Sequence, residues 1–259
     1  MENQEKKYKL GLVLSGGGAR GFAHLGTAKA FYEEGYKFDI ITGTSMGAIV
    51  GAVLADGYQP EEILPMLTVK RMKSFIKPDL TTNSMMNMKG ARSFLKKILR
   101  AKNIEDLKIP FIATATNIMN GVIHYFDKGD IIDAVIASSS IPVVFAPQVI
   151  DGVQYVDGGV MSNLPVRHIR NDCEKIAGFH VNPETLGLHN GHVKGIAQIA
   201  ERSFHLCMLG NVIPDIKLCD FYLEHNNLIG YTVFDFDKAQ EIYKLGYENT
   251  KEALKTQKL

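Results

Sequence analysis

Twice within its first 57 residues this chain runs an apolar segment into a cluster of small residues and then into a helical pattern. The run "LGLVL" leads into "SGGGARG" and a helix from Phe22 to Glu34 that Gly35 closes, and "DIIT" leads into "GTSMG" and a helix to Asp56 that Gly57 closes. Short apolar runs bounded by glycine read as strands, and a glycine just past the last periodic position ends a helix, so the order is βαβα. The alternation continues with "IPFIATATNI" and "GVIHYF" as strands, "GDIIDAVIASSS" as a helix stopped by Pro142, "KIAGFHVN" as a strand, and helical spacing over 193–209 and 237–254. A chain of this pattern is expected to be an α/β layer protein, its mostly parallel sheet covered by helices. With 46% hydrophobic residues, 259 residues can fill one sizeable core, and no repeat or low-complexity stretch divides them. One domain over 1–259 is expected, its C-terminal helical part beginning at about 190.

The lone hydroxyl of Ser45 stands between Gly43 and Gly47 where the second strand becomes a helix. A G-x-S-x-G turn forces its serine into a strained backbone conformation and pushes the hydroxyl out at the end of the sheet. The helix that follows, "MGAIVGAVLA", is apolar on nearly every side and so should be buried. Its positive end and the Met46 N–H could then stabilise negative charge developing beside Ser45. The competing reading is a tight turn whose serine merely caps the helix. In "SGGGARG", successive small residues leave backbone N–H groups bare, also at the carboxyl end of a strand, where α/β sheets place their sites. A phosphate cradle fits less well, because the lysine followed by serine or threonine that completes a P-loop is missing.

A serine hydroxyl needs a base, usually a histidine held by a carboxylate. Eight histidines are present and none sits in a motif that singles it out. An α/β-hydrolase would place its nucleophile after several strands, whereas only two fit before Ser45. A better candidate is Asp157 in "YVDGGVMSNLP", where Gly158 and Gly159 allow a sharp turn that brings the carboxylate near another loop. An ordinary Asp-Gly turn is the alternative.

The blocks "LSGGGARGFAHLGTAKAFYEEG", "DIITGTSMGAIVGAVLADG" and "ASSSIPVVFAPQVIDGVQYVDGGVMSNLP" resemble, in content, order and spacing, the patatin-like phospholipases. All three fall within 14–165. The resemblance implies a three-layer α/β/α fold and a lipid acyl hydrolase with a Ser–Asp dyad: Ser45 as nucleophile and Asp157 as base. Gly16, Gly17 and Gly18 would line the oxyanion hole, with Arg20 setting that loop and Met46 adding its N–H. Gly21, Gly43, Gly47, Gly158 and Gly159 would support the motifs. No metal or cofactor is implied. A transacylase using the same dyad, and a lipid- or nucleotide-binding module without catalysis, are the other readings.

Charge adds one local feature. The formal net charge is +1, which argues against a nucleic-acid partner, yet residues 69–102 carry ten basic residues against one acidic. Within them, Ala91, Phe94, Leu95, Ile98 and Leu99 share one face of a helix expected from Lys89 to Lys102. Lys89, Arg92, Lys96, Lys97, Arg100 and Lys102 are then available for peripheral contact with an anionic membrane, besides the lipid or ester substrate. The polar, methionine-rich "LTTNSMMNMKG" before it is expected to be a flap. Three cysteines without close pairing fit a reducing compartment, and the apolar runs are too short for a signal peptide or a bilayer span. A cytoplasmic protein is expected.

Overall fold

The computed structural model describes residues 6–66, 77–78, 86–183 and 195–259. In chain order the elements are β1 (Tyr8–Leu14), α1 (Phe22–Glu33), β2 (Ile40–Thr44), α2 (Met46–Ala55), α3 (Pro60–Met66), β3 (Lys77–Pro78), β4 (Met86–Asn87), α4 (Lys89–Ile98), β5 (Phe111–Asn117) and β6 (Val122–Phe126). There follow α5 (Ile131–Ser138), β7 (Gln148–Ile150), β8 (Val153–Asp157), α6 (Val166–Ile169), β9 (Cys173–His180), α7 (Ile196–Ile216), β10 (Phe221–Glu224) and α8 (Ala239–Thr256). Both early βα units stand where the sequence places them.

The main sheet has eight strands in the order β10-β9-β1-β2-β5-β8-β7, with β6 also paired to β5. From β10 to β5 every pair is parallel; β5–β6, β5–β8 and β7–β8 are antiparallel. Short connections, which cannot return a chain to a parallel neighbour, account for β5–β6 and β7–β8, whereas β8 meets β5 only after β6, α5 and β7. Between β7 and β8 stand only Asp151 and Gly152, both at positive φ (50° and 78°), as a two-residue hairpin turn requires.

Both faces of the sheet are buried, and the period of two sorts side chains between them. Leu12 and Leu14 of β1, Ile41 of β2 and Phe111 of β5 join the larger core under α1, α2, α4 and α5. Their sequence neighbours Val13, Ile40 and Ile112 face the smaller core with Val166 and Ile169 of α6 and Val212 of α7. The architecture is therefore a three-layer α/β/α sandwich around a mixed sheet. On the larger side α1 and α8 cross at glycines: a Cβ on Gly26 would strike the backbone of Tyr243, and one on Gly246 the backbone of Ala23.

Two expected boundaries shift. The basic helix stops at Ile98 instead of reaching Lys102, because the Asp56 carboxylate accepts the N–H groups of Arg100 (2.7 Å) and Ala101 (3.2 Å) and draws the chain out of the helix. The helix expected over 193–209 continues to Ile216. Lys70, Arg71, Lys73, Asp79 and residues 80–85 of the expected flap lie outside the described residues, as do 193 and 194.

Candidate active site

Ser45 has φ 56° and ψ −123°, a conformation L-residues rarely adopt, between the last residue of β2 and the first of α2. The flanking glycines permit it. A Cβ on Gly43 would collide with the Gly47 carbonyl, and a Cβ on Gly47 with the carbonyl of Leu14, so strand, turn and helix come together only without side chains there. The Ser45 N–H donates to Ser138 Oγ (2.9 Å), whose hydroxyl donates to the Thr114 carbonyl (2.6 Å), so the turn is held from its neighbours and not by its own side chain. The helix-cap alternative fails, since the Ser45 side chain makes no cap bond. All of α2 is buried, and the Met46 N–H has no hydrogen-bond partner among the described residues.

Asp157 ends β8, which reaches the same place from the other direction. Thr44 pairs with Thr114, and the next residue of β5, Ala115, pairs with Asp157, so sheet register alone brings the two loops together. Gly158 packs so closely on Thr114 that a Cβ would strike its carbonyl. Asp157 Oδ1 accepts the Gly159 N–H at 2.7 Å, while Oδ2 is buried beside Ser45 and accepts no well-formed hydrogen bond. The residue is 1% exposed. Burial pushes its pKa up to about 7, against the Gly159 N–H and the neighbouring Ser45 hydroxyl, which both favour the ionised form. The hairpin that the Asp-Gly pair suggested occurs instead at Asp151-Gly152.

The glycine loop between β1 and α1 completes the group. Gly16 lies against Ser45, with an imagined Cβ 3.0 Å from Ser45 Cβ. Its N–H is taken by Asn163, through Oδ1 (3.1 Å) and the carbonyl (3.4 Å), so Gly16 is not an open donor, contrary to expectation. The Gly17 and Gly18 N–H groups have no partner among the described residues. The carbonyls of this loop are engaged: Ser15 O by His24 Nε2 (2.8 Å), Gly16 O by Asn182 Nδ2 (2.5 Å) and Ser15 Oγ (3.1 Å), and Gly17 O by the Arg20 N–H (3.3 Å). The Arg20 guanidinium, 1% exposed, meets His205 Nε2 at 3.4 Å. Gly21 makes room for Met46, whose side chain any Cβ there would strike.

Several residues of this assembly escape a reading of the sequence. Asn211 of α7 donates to Gly159 O (2.9 Å) and accepts the Asn163 N–H (2.8 Å), fixing the turn after Asp157. Ser138, Asn163 and His24 lie inside quoted motif blocks, and that was their only signal. Asn182 and Asn211 carried none. No cluster of three His, Cys, Asp or Glu side chains fit to hold a metal occurs among the described residues.

Ser45 opens into an apolar pocket of about 70 Å³ walled by Met46, Ile49, Ala91, Ile141, Phe145 and Phe234. A second cavity of about 150 Å³, lined by Lys89, Arg92, Ser140 and Gln148, shares Met88 and Phe145 with it. Of the other basic residues, Lys96 and Lys97 face solvent, Arg92 pairs with Asp133 (2.7 Å), and Arg100 lies over the Tyr58 ring (3.8 Å). Among the described residues no helix is long and apolar enough to cross a membrane.

Residues 12–169 match the family described as patatin-like phospholipase. An uncharacterised NTE family protein of Mycobacterium bovis is 33% identical over 195 residues, covering 74% of this chain and 52% of its own length. Patatin-like phospholipase domain-containing protein 7 of Mus musculus is 29% identical, covering 93% of this chain and 20% of the mouse protein. Lysophospholipase nte1 of Aspergillus fumigatus is 30% identical, with 95% and 18% covered. The chain thus spans about half the length of the mycobacterial relative and about a fifth of the other two. Among solved structures, VipD from Legionella pneumophila superposes with a TM-score of 0.52 over 97% of this chain and 67% of that one, at 15% identity, which is a likeness of fold.

Proposed function

Because this chain belongs to the patatin-like phospholipase family, we propose that it hydrolyses carboxylic esters of lipids through Ser45 and Asp157, residues 1–259 working as one catalytic domain. The observation that carries the reading is the pairing of a strained, nearly buried serine at the head of a buried helix with a carboxylate whose unpartnered oxygen has a pKa of about 7. An aspartate near its ordinary pKa is a poor base for a hydroxyl; one near 7 is basic enough to take a proton and acidic enough to return it at neutral pH.

In this mechanism Asp157 Oδ2 takes the Ser45 proton as Oγ bonds to the ester carbonyl carbon. Negative charge on the former carbonyl oxygen is held by the Gly17, Gly18 and Met46 N–H groups and by the positive end of α2. The tetrahedral intermediate collapses, the C–O bond to the alcohol breaks, and the alcohol leaves with the proton from Asp157. Water, deprotonated by Asp157, then attacks the acyl-enzyme; the bond from Ser45 Oγ to the acyl carbon breaks, Oγ takes the proton back from Asp157, and the fatty acid is released. The apolar pocket beside Ser45 suits the acyl chain, and the cavity with Lys89 and Arg92 suits an anionic head group. Together with the name lysophospholipase carried by fungal relatives, this favours single-chain phospholipids as substrates.

At the mouth, Phe234 is 50% exposed, and Val143, between the pocket-lining Ile141 and Phe145, is 63% exposed. These side chains and the solvent-facing Lys96 and Lys97 suit a lipid surface carrying negative charge. The direct test is intact-mass analysis after treatment with an alkyl fluorophosphonate. One adduct on the wild type that is missing from Ser45→Ala, together with fatty acid release from a lysophospholipid by the wild type alone, is the expected result. A folded wild type that takes no adduct would sink the proposal.

A further inference from the structure

The glycine loop holds two neighbouring peptides whose N–H ends are open while their C=O ends are tied inward. In the Gly16–Gly17 peptide the carbonyl takes the Asn182 amide and the Ser15 hydroxyl, and in the Gly17–Gly18 peptide it takes the Arg20 N–H. The peptide before them is held at both ends: its Ser15 carbonyl by His24 and its Gly16 N–H by Asn163. A peptide is planar, so fixing the direction of its C=O fixes the opposite direction for its N–H. Three glycines in succession have no side chains to resist rotation, and without these ties the loop could turn a carbonyl, instead of an N–H, toward Ser45.

We propose that Asn182 and His24 are positioning residues, Asn182 holding the Gly17 N–H toward the oxyanion formed at Ser45 and His24 anchoring the peptide before it, an inference that rests on the hydrolase reading above. Neither residue touches the reacting atoms. Asn182 lies just beyond the end of β9, the neighbour of β1, and is 9% exposed; its own backbone neighbour Val181 gives its N–H to Ser15 Oγ (3.1 Å). β9 thus reaches the loop twice, once through Ser15 and once through the Gly16 carbonyl. His24 reaches it from α1. Its partner is a carbonyl, so the imidazole must carry its proton on Nε2, and the Ser15 carbonyl it fixes is pressed against Gly47 of α2. Full burial lowers the His24 pKa to about 4, which keeps the ring neutral and in this donating form at neutral pH.

The ties act on a group whose loss typically costs about 100- to 1,000-fold in rate, and misplacement by about 1 Å costs about 100-fold. Asn182→Asp keeps the shape and replaces the donor by an acceptor that repels the Gly16 carbonyl. It is expected to lower kcat on a lysophospholipid by about 100-fold with KM within about twofold, and to slow fluorophosphonate labelling of Ser45 in parallel. His24→Leu is expected to act in the same direction, with most of the rate restored in His24→Gln, whose amide can donate at similar reach. Circular dichroism and thermal unfolding establish that each variant is folded; if His24→Leu is not, Asn182→Asp at the edge of the site decides. Folded Asn182→Asp with kcat within about threefold of wild type overturns the assignment of Asn182, and His24→Gln no better than folded His24→Leu overturns that of His24. A wild type that neither turns over ester nor takes label overturns the hydrolase reading itself, a result distinct from an active wild type with indifferent variants.

Discussion

Asp157 combines two demands that conflict within one side chain. Burial raises its pKa from 3.8 to about 7, so the folded state prefers the protonated acid, whereas the proposed mechanism needs the carboxylate. Between these two values the folded protein binds more protons at this residue than the unfolded chain does, so its contribution to stability is present at low pH and is lost as pH rises from about 4 through 7. Activity should run the opposite way, with kcat/KM rising as pH passes through about 7 as the base ionises. Asp157→Asn is therefore expected to abolish hydrolysis yet raise the unfolding midpoint at pH 8, by an amount that shrinks toward pH 5. Urea melts of both proteins at the two pH values check it. A lower midpoint for the variant at pH 8 would mean that the carboxylate is not a burden to the fold. Ser45 is held under a similar tension at φ 56°, where the backbone cost is on the order of 1–3 kcal/mol.

The element that most changes between sequence and structure is α4. Its apolar face is buried as the spacing implies, with Ala91, Phe94, Leu95 and Ile98 in the core, but its basic face is divided among different tasks. Lys89 and Arg92 line the cavity beside the apolar pocket at Ser45, Arg100 has left the helix, and Lys96 and Lys97 remain toward solvent. Reversing both charges in Lys96→Glu/Lys97→Glu is expected to weaken binding to phosphatidylserine vesicles by more than about tenfold, since each cation near such a surface is worth about 1 kcal/mol. Turnover of a soluble short-chain ester should be unchanged. Equal binding by both proteins in a co-sedimentation assay would remove the surface role. The helix end shows why part of the molecule was illegible beforehand: what stops α4 is Asp56, 44 residues earlier in the chain. The βα units, the serine turn and the Asp157 block were legible because glycine spacing and apolar runs are local marks of backbone geometry. Asn182, His24 and Asn211 were not, because an asparagine after a strand or a histidine in a helix looks ordinary until packing sets it against a loop 166 residues away, as Asn182 is from Gly16. The antiparallel half of the sheet lay between these cases: turn lengths set the direction of the β5–β6 and β7–β8 pairs, while the β5–β8 pairing is long-range.

Across the whole molecule, the polar groups inside the larger core impose an acid limit. His24 and His225 are fully buried, and burial first of all lowers their pKa values to about 4 and about 3; His225 bonds to Thr27 Oγ1 (3.0 Å) and Asn249 Nδ2 (3.1 Å), joining α1 to α8. Both are neutral when folded and would charge near 6.5 when unfolded, so their contribution is complete above about 6.5 and is lost as pH falls toward 4 and 3. Stability is expected to fall steeply below about pH 6, and a His225→Gln variant that folds should show a shallower acid slope in equilibrium unfolding. An unchanged slope would place the acid sensitivity elsewhere. The same joining of chain ends bears on when activity can arise. The turn after the glycine loop hands its Ala19 N–H to the Val233 carbonyl (2.9 Å), and α1 is seated on α8 through Gly26 and Gly246. The serine and its glycine loop leave the ribosome some two hundred residues before the parts that brace them. On the proposed reading a nascent chain therefore carries its nucleophile without a working site until α8 has been made, so hydrolysis cannot begin on a half-made domain.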